Sequence, residues 1–511
     1  MFLSFLLINI LNDIFLYGII FIVPYKEKMI MERKTKIAQA LPFEGAPKIT
    51  MPSIIGASKN KPILFRIPVI GKRPLTYSVD NLPSGLTLKG NILSGSVNAD
   101  GKYELIIKAE NCLGKAEKRV TLEIKDQNVL VTPLLGFTSW NAFGSEITQK
   151  DIENIADKMV SLGITEYGYS YVNTDSGWQG AYGGELDAIM PNFKFPDMKK
   201  MTDKIHSHGL KCGIYSTPML TAWGCPKELD SIPGCTQGEP DYRYASINGG
   251  IGVIHKERNN ALQWARWGFD YLKYDWAPTD TVNADLMRRE LVNLDRDFGF
   301  CVTVRAIPLY SPYWSKYCSS YRSNPDTLGN WENLIEVYET YAEFREYACK
   351  GHYFDLDMLD FGTCKMPDTK NLLTEDEIIV QFSIRAFLSS PIQISSTLEN
   401  ASDFELSVYC NEEILAINQD CAFITPTPVL KIKDGDRYLD IYEKMLEDGS
   451  YAYAIFNFGN VSESISATAF ADCNIRDLWA KEDTTHSEKL TLDLFPHTVK
   501  ILKSDKQISF E

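Results

Sequence analysis

Hydrophobic and polar positions along the chain change period twice. Between about residues 45 and 126 apolar residues alternate with polar ones, as at Tyr103, Leu105, Ile107 and Ala109 and again at Val120, Leu122 and Ile124. That is the period of a strand with one buried face. Pro74, Pro83, Gly85, Gly90, Gly95 and Gly101 punctuate the stretch, so short strands with frequent turns are expected, forming a small β-sandwich. From about 128 to 420 strands alternate with amphipathic helices. Ile152, Ile155, Ala156, Met159 and Leu162 follow helical spacing behind Thr148, with Asp151 completing a capping pattern, and 169–174 then reads as a strand. Met198, Met201 and Ile205 mark a helix that ends at Gly209, and a strand is expected at 210–215. Further strands are expected at 269–274, 300–304 and 391–395, with helices over 261–267 and 374–388, the latter opened by a Thr374/Glu377 capping box. About eight such units in roughly 290 residues fit a closed (β/α)8 TIM barrel better than an open sheet, because no Gly-rich phosphate loop follows the first strand. Beyond about 421 the helical period disappears. Tyr438, Asp440 and Tyr442, then Tyr451, Tyr453, Ile455 and Asn457, alternate as strands of a C-terminal antiparallel β-sandwich.

The predicted organisation is therefore multidomain: 1–40 a leader or anchor, 41–127 an N-terminal β-sandwich, 128–420 a central barrel, and 421–511 a C-terminal β-sandwich. Residues 2–23 are apolar apart from Asn9, Asn12 and Asp13, and Lys26, Lys28, Arg33, Lys34 and Lys36 follow. An export signal carries its positive charge before the apolar run, so the order here is reversed. A membrane anchor with a basic flank, or a start at Met29 or Met31, are the other readings. Export is adopted, with Ala38-Gln39-Ala40 as a small-residue cleavage pattern, which places the protein outside the cytoplasm, periplasmic or secreted. Membrane association is expected only through this segment, and the oligomeric state is open.

Charge narrows the partners. Lys+Arg is 52 and Asp+Glu 67, giving 52 − 67 = −15, which argues against nucleic acid, whose phosphates require clustered cations. The 11 cysteines contain no CxxC pair, so zinc and thioredoxin spacings are absent and buried thiols are expected. Cys225 and Cys235 are close enough in sequence to pair in an oxidising compartment. His206 and His208 flank Ser207, but helical i,i+2 spacing points them apart, so they are not read as a metal pair.

The chemistry sits where strands end, since barrel active sites lie at the C-terminal ends of the strands. Asp175 follows YVNT, Asp275 follows YLKY, Asp326 follows YRSNP, and Asp355 and Asp357 stand in HYFDLD. Any one of these could simply cap the next helix; five at one mouth form a site. Crowded carboxylates need nearby cations to stay ionised. Lys273 lies two residues before Asp275, on the same strand face, and Arg322 lies four before Asp326. Paired carboxylates flanking one bond are the chemistry of glycoside hydrolysis. Asp275, with Lys273 to hold it anionic, is the candidate nucleophile and Asp326 the candidate acid/base.

At these residues the chain resembles family 27 of the glycoside hydrolases, the α-galactosidase and α-N-acetylgalactosaminidase group. GFTSWNAFG, YVNTDSGWQ, GLKCGIYS, DYLKYDW, YRSNPDTLGNW and GHYFDLDML resemble its successive strand motifs, and IRAFLSSPIQISSTL followed by NEEILAINQD resembles its barrel closure. The stretch from PLTYSVDNLPSG to CLGKAE resembles immunoglobulin-like modules of bacterial surface and secreted enzymes, and is read as a spacer or docking module. The family resemblance implies retaining hydrolysis of terminal α-galactosides in oligo- or polysaccharides, without metal or cofactor. It implies that Trp140 forms a platform under the sugar, Asp175 and the residue at Ser176 hold the C4 and C6 hydroxyls, and Tyr215 lines the pocket. It further implies that Lys273 binds the C3 and C4 hydroxyls, that Arg322 and Asp357 hold the C2 side, and that Asp275 and Asp326 are nucleophile and acid/base.

Four departures bear on specificity. The second of two consecutive Asp residues is replaced by Ser176, a pocket Cys by Ala277, and the small residue before the acid/base by Pro325; the fifth-strand segment reads TVRAIPLYSPYW. The choice between a C2 hydroxyl and an N-acetyl group therefore does not carry over. A β-L-arabinopyranosidase, whose sugar lacks C6, and an α-N-acetylgalactosaminidase are alternatives on the same scaffold. A non-catalytic carbohydrate-binding protein is the alternative of another class.

Overall fold

The computed structural model describes residues 32–127, 129–223, 232–244, 249–303, 308–366, 372–469, 473–484 and 489–511. The chain divides into Met1–Glu32 and Arg33–Glu511, and the elements below belong to the second unit.

At its centre lie eight parallel strands: β1 (Leu135–Thr138), β2 (Tyr171–Asn173), β3 (Lys211–Ser216), β4 (Tyr271–Asp275), β5 (Gly299–Thr303), β6 (Ser320–Tyr321), β7 (Tyr353–Phe354) and β8 (Ile392–Ile394). They pair in the order β7-β6-β5-β4-β3-β2-β1-β8. The two end strands are linked by Leu359 N donating to Gln393 O at 2.9 Å and by Gln393 Nε2 donating to Asp355 Oδ2 at 3.1 Å. This is the (β/α)8 barrel that the alternating period predicts. Both expected capping boxes form, on helices Gln149–Ser161 and Glu375–Phe387. Gly209, at φ +75°, turns the chain out of helix Met198–Ser207 into β3, a left-handed position that suits glycine. Two hairpins stand in the loops after β2 and β3, pairing Gln179–Gly183 with Ala188–Pro191 and Thr236–Pro240 with Gly252–His255.

The N-terminal strands form a four-stranded and a three-stranded sheet around one apolar core. Its longest hairpin, Gly101–Asn111 with Gly114–Ile124, sets Leu105 opposite Val120, and the alternating residues Leu105, Ile107, Val120, Leu122 and Ile124 are all buried. This sandwich lies against the barrel floor, the N-terminal end of the strands. Arg66 NH2 meets Glu166 Oε1 at 2.6 Å, Thr50 Oγ1 donates to Glu166 O at 2.8 Å, and Ser58 N donates to Asp297 Oδ2 at 2.7 Å. The Lys211 ammonium, on the first residue of β3, stands 4.8 Å from the Phe65 ring.

The six-stranded sheet of the C-terminal sandwich is buried on both faces. Leu439, Ile441, Tyr453 and Ile455 share a core with Ile465, Leu492 and Leu494 of the three-stranded sheet. Tyr442, Ala452, Ala454 and Phe456, on the opposite pleat, join the main core with barrel residues such as Phe382. Residues 33–40, set aside with the leader in the sequence reading, are held against both the barrel and the C-terminal sandwich. Arg33 pairs with Glu375 at 2.9 Å, Ala38 N donates to Trp479 O at 2.8 Å, and Tyr167 OH donates to Ala40 O at 3.0 Å. Among the described residues no helix is long and apolar enough to cross a membrane; the apolar segment 2–23 lies outside them. Cys235 is buried with its Sγ 3.0 Å from Ser216 Oγ, and its proposed partner Cys225 lies outside the described residues.

Candidate active site

Strand pleating decides which residues reach the barrel interior. On β4, Leu272 and Tyr274 are fully buried in the core shared with the helices, while Lys273 and Asp275 point into the barrel mouth. On β3, Cys212 and Ile214 pack outward and Tyr215 inward, so its hydroxyl reaches across to donate to Asp275 Oδ2 at 3.0 Å. Gly213 between them has no alternative: a Cβ there would lie 2.1 Å from Asn173 Oδ1 of the neighbouring strand.

Asp275 is 9% exposed, and its Oδ1 has no hydrogen-bond partner among the described residues. Burial pushes its carboxyl up to about 6, opposed by the charges of Lys273 and Arg322 and reinforced by Asp326 and Asp175. It is thus anionic at neutral pH with one oxygen uncommitted. Here the geometry corrects the sequence reading in one respect. Lys273 makes its ion pair, at 2.7 Å, with Asp175 rather than with Asp275, and acts on Asp275 through space. Asp175 is clasped further by Ser176 N at 2.8 Å, while its own N–H donates to Ser139 Oγ at 2.9 Å.

Asp326 differs from Asp275 in every physical respect that matters for its chemistry. Its side chain is 74% exposed and it is held by Arg322 NH2 at 2.5 Å. Arg322 itself is buried and reaches Asp357 Oδ2 with NH1, also at 2.5 Å, so one guanidinium bridges the two carboxylates. Those carboxylates raise the guanidinium's already high affinity for its proton.

Asp357 sits at φ +69°, in the left-handed region that a non-glycine residue adopts only under outside constraint. The constraint is Arg385, fully buried on helix Glu375–Phe387. Its Nε donates to Asp357 O at 3.0 Å, and its NH2 to Leu356 O at 2.7 Å and Met358 O at 3.1 Å. Asp357 Oδ2 also accepts from Thr327 N at 3.0 Å, and Asp357 N donates to Asp355 Oδ1 at 2.8 Å. Burial, reinforced by Asp357, pushes the Asp355 carboxyl up to about 6. Asp360, 1% exposed, is pushed up to about 7 by burial, with the Arg385 charge opposing.

Trp140 opens the short helix Trp140–Phe143 at the end of β1 and is half-buried. Ser176 is fully buried, and its hydroxyl donates to the carbonyl of Trp223. It fastens the loop after β3 and has spent its only proton there. Asp187, on the tip of the first hairpin, is paired with Lys256. Of the segment TVRAIPLYSPYW after β5, residues 304–307 lie outside the described residues. His206 and His208 face different carboxylates, Asp270 at 2.8 Å and Asp157 at 2.8 Å.

The residues that sequence reasoning missed are the supports: Asn141, Thr327, Asp360, Gln381, Arg385 and Gln393. A signal for two of them is present in the sequence. Asp360 is a third acid in the DLDMLD run, and Arg385 is the one charge beyond the acidic first turn of its helix.

Known proteins resemble the chain in both its barrel and its C-terminal sandwich. The family model Alpha galactosidase A matches residues 132–420, and the alpha galactosidase C-terminal beta sandwich model matches 436–504. Alpha-galactosidase A of Cellvibrio japonicus is 30% identical over 413 residues, covering 74% of this chain and 93% of that protein. Alpha-galactosidase 2 of Arabidopsis thaliana is 28% identical over 401 residues, covering 74% and 90%. A crystal structure of a candidate alpha-galactosidase/melibiase from Bacteroides fragilis superposes with a TM-score of 0.79 at 27% identity, covering 91% of this chain and 99% of that one.

Proposed function

The chain belongs to the alpha-galactosidase A family of glycoside hydrolases, and from that premise we propose that it removes terminal α-galactosyl groups from oligo- or polysaccharides with retention of configuration. The observation that carries the reading is the unlike pair at the barrel mouth. Asp275 is buried, anionic and has a free oxygen, while Asp326 is exposed to the leaving-group side and held by a guanidinium. Asp275 Oδ1 attacks the anomeric carbon while Asp326 protonates the departing glycosidic oxygen; Asp326 then deprotonates the water that cleaves the glycosyl ester. The Lys273–Asp175 pair presents a cation and an anion side by side to adjacent sugar hydroxyls, Trp140 supplies a flat apolar face, Tyr215 keeps Asp275 oriented, and Arg322 and Asp357 close the C2 side.

A second reading rests on Ser176. A carboxylate there would accept from the C6 hydroxyl, whereas this hydroxyl is turned to Trp223. β-L-arabinopyranosides, which lack C6, lose nothing by that, so they are the second substrate class. The apolar segment 2–23 supports an extracytoplasmic location. A panel of aryl glycosides on the purified protein, with the product anomer followed by NMR, tests the reading. Release of α-galactose or β-L-arabinopyranose with retained configuration is expected; an inverted product, or binding without turnover, overturns it.

A further inference from the structure

The mouth carries two buried acids that this mechanism does not use, Asp355 and Asp360, and the bonds of Asp360 reach the loop of the acid/base. Asp360 Oδ1 accepts two hydrogen bonds, from Asn141 Nδ2 at 2.7 Å and from Thr327 Oγ1 at 2.9 Å. Its Oδ2 accepts from Gln381 Nε2 at 3.2 Å, and its own N–H donates to Gln381 Oε1 at 3.2 Å. The two donors on Oδ1 come from different strand ends. Asn141 follows Trp140 directly, at the end of β1; Thr327 follows Asp326 directly, in the loop after β6. No element contains both, and they lie 186 residues apart in sequence (327 − 141).

We infer that Asp360 is a positioning residue, whose single carboxylate oxygen ties the sugar platform at Trp140 to the acid/base at Asp326 and so fixes the height of the proton donor above the bound sugar. Asp326 is exposed; Arg322 holds its carboxylate and Asn333 Nδ2 donates to its carbonyl at 3.2 Å, and the loop behind it still needs a fixed point on the barrel. Thr327 supplies that point twice, through its hydroxyl to Asp360 and through its N–H to Asp357. Arg385 completes the device. It lies one helical turn beyond Gln381, whose carbonyl accepts from Arg385 NH1 at 3.1 Å, and it places a positive charge near a carboxylate that has no direct cationic partner among the described residues. A general acid acts only within hydrogen-bond reach of the leaving oxygen, so a shift of this loop should be felt most where the proton is most needed.

The inference rests on the proposed galactosidase reading, and its test separates the two. Turnover is measured for α-galactosides, or β-L-arabinopyranosides if those are the substrate, with leaving groups from alkyl alcohols to dinitrophenol. This is done in the native protein and in Asp360→Leu, Thr327→Val and Thr327→Ser. In Asp360→Leu the poor leaving groups should slow by about 100-fold while dinitrophenyl substrates slow less than about tenfold, a steeper leaving-group dependence that general loss of fold does not produce. Thr327→Val, which keeps the N–H to Asp357, should show the same tilt more weakly and Thr327→Ser should restore it. Should Asp360→Leu fail to fold, the two Thr327 variants decide alone. Equal slowing of all substrates, or none, overturns the role. An inactive native protein overturns the galactosidase reading and this role with it.

Discussion

The barrel buries aspartates at both ends and treats them in opposite ways. At the floor, Asp270 accepts from Arg296 NH2 at 2.7 Å and Cys212 N at 2.9 Å and meets His206 Nε2 at 2.8 Å. Although burial opposes ionisation, these partners hold its carboxyl down at about 2. At the mouth, Asp275 has one hydrogen bond among the described residues, from Tyr215, and stands at about 6. Both are aspartates next to cations in one barrel. The difference is saturation: at the floor Asp270 has partners on both of its oxygens, whereas at the mouth Asp275 keeps bonding capacity for a substrate. A site is recognised by what its charged groups have not yet bound.

The sharpest break of this contrast is in turnover. Asp275→Asn should lower kcat/KM by about 10³-fold or more, because it removes the nucleophile, while Asp270→Asn should leave it within a few-fold. Stability should move the other way. A carboxyl raised to about 6 makes the folded protein less stable above that pH, so Asp275→Asn should raise Tm at pH 7 to 8. Asp270, held at about 2, contributes roughly 2–3 kcal/mol that is fully present above its unfolded value near 4 and disappears as pH falls from there through 2. Asp270→Asn should therefore lower Tm at neutral pH and matter less in acid; equal melting shifts for the two variants would break the comparison.

Next in size is Asp326→Asn, which should slow alkyl galactosides by about 100-fold or more and activated aryl galactosides far less, since only the former need the proton. A uniform loss would remove Asp326 from the acid/base role. The pH profile sharpens the same point. kcat/KM should fall as pH drops through about 6, where Asp275 takes up its proton, and Tyr215→Phe, which removes a hydrogen bond to the anion, should move that limb upward. A limb unmoved by Tyr215→Phe would mean that another group controls it.

Smaller effects come from the supports. Ser176→Ala frees the Trp223 carbonyl and should change α-galactosides and β-L-arabinopyranosides by the same factor, about two- to fivefold at the strength of one neutral hydrogen bond. A loss confined to α-galactosides would show that Ser176 reads C6 after all. The smallest effect on turnover is expected at the floor. Deleting 1–127 removes the contacts of Arg66, Thr50 and Ser58, as well as those of Arg33 and Ala38. It should lower thermal stability while leaving kcat/KM for small aryl substrates within about twofold, measured where the truncation remains folded. A fall in kcat/KM would connect the sandwich to the pocket.

What local pattern determines is the alternation of strands and helices, the capping boxes on Thr148 and Thr374, and the strand ends that carry Asp175 and Asp275. In each case the information lies within a few neighbouring residues, in period, cap or pleat. Strands β6 and β7, two residues each, have no period to read, and Ser320–Tyr321 and Tyr353–Phe354 become strands only through their parallel partners. The pleat also shows that Lys273 and Asp275 share a face, but not that Lys273 would pair with Asp175 on another strand. Ser176 read as a sugar contact standing where a second Asp is expected, and tertiary structure turned it towards Trp223. Asp360 and Arg385 stand out by residue type, but what they hold was not legible, because their partners come from the helix after β1, the loop after β6 and the 356–358 turn, which closure of the barrel alone brings together. A sequence specifies the residues that carry charge; which charges are satisfied, and which remain available for chemistry, depends on distances between strands that are far apart in the chain.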